Sequence, residues 1–252
     1  MSVTAIIGAA GGVGTTTVAA HLASAIGQQH KSVLCFDFCP TNVLRLHFGS
    51  TLTDGAGFAA ALLAHTPWQE AAYTSAAGVR FLPFGRLPDD AALERLGHWL
   101  QARPYWFRDS VASIELAPDA MIICDCPRLP AALREQVLAA ADLTLVVSAP
   151  DPLSLASATG MAQRPGAGAA AILLNRFEAA RALDRDMQLL LRHRYAGLAA
   201  PLVIHRDESL REALAHKLTI FDYAPAAQAA QEFAALATWA IVRSSDHAAE
   251  GA

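Results

Sequence analysis

The sequence predicts an α/β fold: a doubly wound, mostly parallel sheet with helices on both faces. Three observations carry that expectation. Short, continuous apolar runs alternate with helix-like segments along the 252 residues, as in strands covered on both sides. The first run ends in a glycine-rich turn that opens directly into a helix, the layout of a phosphate-binding loop. Two later runs carry aspartate at their carboxyl ends, the edge at which open α/β sheets bind ligands.

In chain order, Val3–Ile7 is the first strand-like run, closed by Gly8 and followed by Gly11, Gly12 and Gly14. A helix is expected over Thr15–Gln28. Further strands are expected at Val33–Phe38, Val79–Pro83, Met121–Asp125, Leu143–Val147, Ala170–Leu174 and Leu202–Ile204. The remaining helices are expected at Gly57–His65, Asp89–Leu100, Pro130–Ala140, Phe177–Tyr195, Glu208–His216 and Ala226–Val242. No linker divides the chain, so residues 1–243 read as one domain and 244–252 as a disordered polar tail.

Composition narrows the function. The chain is 54% apolar and 17% charged, which opposes disorder. No apolar run reaches the roughly twenty residues of a bilayer span, and the first residues lack a basic secretory segment. A cytoplasmic protein is expected. The net charge of −4 gives no overall footprint for nucleic acid or anionic lipid. Arg181, Arg192, Arg194 and His193 could form only a modest basic patch, so direct nucleic-acid binding is not expected. The final RSSDHAAEGA has no apolar face, so neither is direct membrane insertion. Of the four cysteines, Cys35, Cys39, Cys124 and Cys126, a metal site at converging strand ends is conceivable. Buried thiols are the more ordinary outcome.

The loop itself carries a conflict. A Walker A loop reads G-x-x-x-x-G-K-[ST], but Thr15 stands in the lysine position and Ala9 in that of the first glycine. Gly11, Gly12, Val13, Gly14, Thr15, Thr16 and Thr17 supply backbone amides, hydroxyls and a helix N-terminus without the neutralising side chain. A tight turn that merely caps the helix is the alternative. The only lysines are Lys31 and Lys217, both distant in sequence, so a substitute cation near phosphate would be arginine.

GGVGTTT resembles the deviant Walker A loop of the MinD/ParA-type ATPases, whose two lysines are here Ala10 and Thr15. Further segments resemble the same family in order. Asp37-Phe38-Cys39-Pro40 is similar to its first switch, with Cys39 in place of the second aspartate. Met121–Asp125 followed by Cys126-Pro127-Arg128 is similar to its Walker B strand and second switch. Asn175 stands where the family reads adenine, and His205 and Asp207 fall in its purine-flanking segment, although a helix cap explains Asp207 equally well. Among these relatives, the lysine-free loop, the D-x-C-P turn with Asn42 and Arg45, D-C-P-R and IHRDE resemble the BcsQ/YhjQ branch, associated with bacterial cellulose secretion.

That resemblance implies ATP and Mg2+ as ligands. Thr16, Asp37 and Asp125 would serve the cation, and Arg128 or Arg45 would replace lysine at the phosphates. A solvated surface arginine is the competing account of both. It also implies a nucleotide-stabilised homodimer acting with cytoplasmic proteins of the cellulose synthase, with a small companion subunit compatible with the alanine-rich composition. The absent lysines and switch carboxylate point to slow or no hydrolysis, with Asp37, Asp125 and Arg128 as the candidate catalytic groups. An actively cycling ATPase and a nucleotide-free scaffold are the alternatives.

Overall fold

The computed structural model describes residues 1–163 and 169–250. Eight strands form one sheet: β1 (Ser2–Gly8), β2 (Val33–Asp37), β3 (Tyr73–Thr74), β4 (Arg80–Leu82), β5 (Met121–Cys126), β6 (Leu143–Ser148), β7 (Ala169–Phe177) and β8 (Ile204–His205), ordered β3-β4-β2-β5-β1-β6-β7-β8. Among the described residues, only the β3–β4 pair is antiparallel. The switch in strand order falls around β1, so the loop after β1 opens at the carboxyl edge of the sheet centre.

Alternation along the strands builds a core on each face. In β1, Ile6 packs on one side while Val3, Ala5 and Ile7 pack on the other. On the Ile6 side lie α1 (Thr15–Gln28), α9 (Ile220–Tyr223) and α10 (Gln228–Glu250). Helices α2 (Phe58–Leu63), α3 (Asp90–Gln101), α4 (Trp106–Ala112), α5 (Ala131–Ala140), α6 (Pro152–Ala162) and α7 (Ala182–Arg194) cover the opposite side. There Phe36, Phe38, Phe58 and Phe107 nest with ring centroids 4.7–5.0 Å apart. The short α8 (Ser209–Ala215) follows β8.

The same alternation aims the chemistry. Val33 and Cys35 of β2, and Met121 and Ile123 of β5, face the α1 side. Counting on by two places Asp37 and Asp125 on that side too, at the strand ends nearest the start of α1.

Several expectations are corrected. The helix expected from Phe177 starts at Ala182, because β7 continues through Phe177, whose partner on β8 is His205. Arg176 at φ 60° also departs from helical backbone. Helices α4, α6 and α9 and the two-residue strand β3 were not anticipated. Helix α6 had a legible signal: Asp151 accepts from Ser154 N at 2.9 Å, with proline at the helix start. Helix α10 runs to Glu250, past Ser244 where a disordered tail was expected, and Ser244 is buried. Residues 251 and 252 lie outside the described residues.

Candidate functional site

The loop is shaped by backbone that only glycine adopts readily. Gly12 and Gly14 take positive φ of 73° and 94°, which turns successive amides towards one side. Ala9 N donates to the Val147 carbonyl at 2.8 Å, and Ser157 Oγ on α6 donates to the Ala9 carbonyl at 2.8 Å. The start of the loop is therefore fastened both to the sheet and to α6. The first turn of α1 has no side-chain cap and no acidic residue, so its amides and positive dipole end are left for an anion. With Cys39, Pro40, Pro127 and Arg128, the loop lines an open cleft of about 430 Å³.

Beneath the threonines lies the acid pair. Asp37 and Asp125 are register partners on adjacent strands and are fully buried. Thr16 Oγ1 donates to Asp125 Oδ2 at 2.6 Å, and Cys39 N donates to Asp37 Oδ1 at 2.9 Å. The other two oxygens, Asp37 Oδ2 and Asp125 Oδ1, are buried without a partner. Burial raises the Asp125 carboxyl to about 6, against the hydrogen bonds from Thr16 and Cys39. Asp37 is pushed well above the usual carboxylate range by burial first and by the Asp125 charge second. Buried acceptors this close need a shared proton or a cation between them. A hard divalent cation fits these oxygens.

A second cleft of about 390 Å³ adjoins the first and is lined by Asn175, Arg176, His205 and Asp207. Gly14, Thr17 and Arg176 line both clefts. Asn175 is buried and its Nδ2 donates to the Val13 carbonyl at 2.7 Å, so its amide is bound to the loop itself. His205 reaches the cleft, but Glu232 accepts from its backbone N at 2.8 Å and meets its Nδ1 at 2.5 Å. Asp207 spends both oxygens on backbone: Oδ1 accepts from Ser209 N at 2.9 Å and Oδ2 from Ala229 N at 3.3 Å. Both oxygens thus serve backbone amides at the starts of α8 and α10.

Of the two arginines proposed to replace lysine, one is misplaced. Arg45 is fully buried and turned into the 54–56 segment. Its Nη1 donates to the Asp54 carbonyl at 2.5 Å, and its Nη2 pairs with Asp54 Oδ2 at 2.9 Å. A side chain so committed anchors that segment. Asn42 is likewise committed to a neighbouring loop: its Oδ1 accepts from Gly85 N at 3.1 Å. Arg128 is exposed on the rim of the loop cleft with no ion pair among the described residues. Sequence reasoning passed over Arg176, which is exposed, lies where the two clefts meet, and makes no ion pair among the described residues. Its signal was adjacency to Asn175, one residue past the expected strand end.

Solved structures show which fold this architecture defines. The chain superposes with a TM-score of 0.75 on a septum site-determining MinD from Pyrococcus horikoshii complexed with Mg-ADP, at 22% identity over 95% of each chain. It also matches a cobyrinic acid a,c-diamide synthase from Mycobacterium smegmatis with bound ATP analog and magnesium (TM-score 0.72, 21% identity, 94% of this chain and 93% of that one). The fold is that of the MinD/ParA-like P-loop ATPases. At the sequence level, residues 1–241 match the family described as cellulose biosynthesis protein BcsQ. The Escherichia coli BcsQ is 32% identical over 244 residues, spanning 96% of this chain and 95% of its own. The Salmonella typhimurium protein is 30% identical over 251 residues, with 96% and 95% covered. The chain belongs to the BcsQ cellulose biosynthesis family.

Proposed function

We propose that the protein is a nucleotide-operated factor of bacterial cellulose synthesis, binding ATP with Mg2+ and dimerising around it with little or no hydrolysis. The observation that carries this is the buried Asp37–Asp125 pair, hydrogen-bonded to Thr16 directly under an uncapped, glycine-shaped loop. The relatives solved with Mg-ADP or with an ATP analog and magnesium share the fold, and membership of the BcsQ family supplies the process.

In this reading the amides of Gly11, Gly12, Val13, Gly14 and Thr15 hold phosphate oxygens with the α1 N-terminus. The cation, held by Thr16, Asp37 and Asp125, neutralises phosphate charge. Arg176 and Arg128 supply the positive charge that the loop lacks, and their planar forks match phosphate oxygens. Asn175 and His205 flank the base. Hydrolysis needs a group that takes a proton from water. Cys39 is unsuited, because burial and the neighbouring carboxylates push its thiol far above its ordinary range.

No helix among the described residues is long and apolar enough to cross a membrane. Action at the membrane synthase would therefore go through cytoplasmic partner proteins, a small companion subunit among them. The test is solution mass by light scattering on nucleotide-free protein, then with Mg·ATP and Mg·ADP, with bound nucleotide measured on the same samples. A dimer formed or tightened by ATP alone is the expected result. Absence of nucleotide binding would overturn the reading and favour a scaffold.

A further inference from the structure

The first-switch pattern of the MinD/ParA-type ATPases has a second carboxylate where this chain has Cys39. The Cys39 Sγ, one Asp37 oxygen and one Asp125 oxygen all lie within 4.8 Å of one another. Asp37 Oδ2 and Asp125 Oδ1 are buried with no hydrogen-bond partner, so the cluster presents two unsatisfied acceptors next to a thiol. A buried carboxylate pair left this way is costly unless a proton or a cation is shared between the oxygens. The thiol meets the Asp125 carbonyl at the long distance of 3.8 Å. The sulfur is therefore only weakly engaged, and it lines the loop cleft through which an ion would enter.

The donor set decides which ion. Mg2+ requires a near-regular octahedron of oxygens and keeps several waters. Zn2+ accepts mixed sulfur and oxygen donors at about 2.0–2.3 Å in a tetrahedron, whose edges are then about 3.5 Å, so a modest contraction of the cluster encloses it. We propose that Asp37, Cys39 and Asp125 form a three-donor site for a thiophilic divalent cation of the Zn2+ class, which binds without nucleotide. Binding forms a metal–sulfur bond and releases the thiol proton to solvent. Cys39 lines the cleft, from which a fourth ligand would come. This inference rests on reading the acid pair as the cation site, as in the proposed function, and is independent of ATP. Cys39 is then the residue that sets which cation the site prefers.

The experiment uses full-length, metal-stripped protein without nucleotide. Cd2+ serves as the spectroscopic probe, because a cadmium–thiolate bond absorbs in the ultraviolet, and Zn2+ affinity is read by competition with a chromogenic chelator. One equivalent of Cd2+ should produce the charge-transfer band in the parent and none in Cys39→Ser. Zn2+ affinity should fall by at least about tenfold in Cys39→Ser and in Asp37→Asn, which keeps the thiol. Cys39→Asp should lose the band and gain Mg2+ affinity. A band retained in Cys39→Ser, arising from the other thiols, or equal Zn2+ affinity in parent and variants overturns the proposal. Mg·ATP binding measured alongside separates the two readings. ATP binding with no thiolate band removes the zinc site and leaves the nucleotide site, whereas a band without ATP binding does the reverse.

Discussion

Asn175 Nδ2 donates to the carbonyl of Val13 at 2.7 Å, tying β7 to the phosphate loop across 162 residues of sequence. The contact is possible because the next residue is glycine: a Cβ on Gly14 would lie 2.4 Å from the same Nδ2. Gly14→Ala therefore meets both a steric clash and a backbone at φ 94°. It is expected to cost about 1–3 kcal/mol of stability and to abolish nucleotide binding. Asn175→Ala removes one buried hydrogen bond and leaves the carbonyl unpaired, at about 1–3 kcal/mol. Denaturant midpoints together with ATP titration separate the loop-holding role from base recognition. A variant of unchanged stability that binds ATP and GTP equally would assign Asn175 to the base alone.

The acid pair makes a prediction of opposite sign. Asp125 is held at about 6 by burial, above its ordinary value near 3.9. The folded state thus binds more protons than the unfolded chain between those values, and stability falls as pH rises through the window. The penalty is fully present at pH 7. Asp125→Asn can still accept from Thr16, so in metal-free protein at pH 7 it is expected to raise stability by about 1–3 kcal/mol. The same variant should lose the stabilisation that added divalent cation gives the parent. Urea unfolding with and without cation reads both effects. An Asn variant less stable than the metal-free parent would mean that the carboxylate is held by partners other than a cation.

The loop, Thr16 and both aspartates were legible because their signals are local: glycines at fixed spacing and acids at the ends of apolar runs. Period-two alternation in β2 and β5 then dictates that both acids face α1. Arg45 was misread because nothing near it in sequence reveals Asp54, nine residues on, as its buried partner. Arg176 was missed for a related reason. It lies inside a strand longer than its apolar run, where β8 pairing extends β7 through Phe177. Asp207 was ambiguous in sequence because a helix cap and a ligand contact ask for the same residue type, and its bonds to Ser209 N and Ala229 N depend on how the chain folds.

The three arginines should separate cleanly on mutation. Arg45→Ala empties a fully buried site and breaks the pair with Asp54. Asp54 is partly solvated, so about 2–3 kcal/mol of destabilisation is expected, read by thermal unfolding. Arg176→Ala and Arg128→Ala should leave stability within about 0.5 kcal/mol while weakening Mg·ATP binding, Arg176 more because it borders both clefts. Isothermal titration of the two variants tests this. Unchanged affinity in both would leave the loop amides and the helix dipole as the sole phosphate ligands.

His21 of α1 and His47 meet edge to face with centroids 5.3 Å apart. His21 Nε2 accepts from Ile220 N at 3.0 Å, which fixes the proton on Nδ1, donated to the Thr17 carbonyl at 2.7 Å. The ring thus links the loop helix to α9 in its neutral form. Burial lowers His21 to about 4, against the Thr17 carbonyl and the Asp222 charge, and lowers His47 to about 3. The unfolded chain therefore binds more protons below about pH 6.5, and stability declines as pH falls from there towards 4. The acid pair changes in the opposite direction below pH 6, so the comparison must cancel it. His47→Leu leaves the acids intact and removes one ring, whose Nδ1 has no partner. Between pH 7 and pH 5 the parent is therefore expected to lose more stability than His47→Leu, and the difference, in which the acid pair cancels, should be about half of what the two histidines contribute together. Imidazole NMR provides the direct check: neither ring should titrate between pH 7 and pH 5. A resonance of His21 that titrates near 6.5 would place that ring in contact with water and remove it as the link between the loop helix and α9.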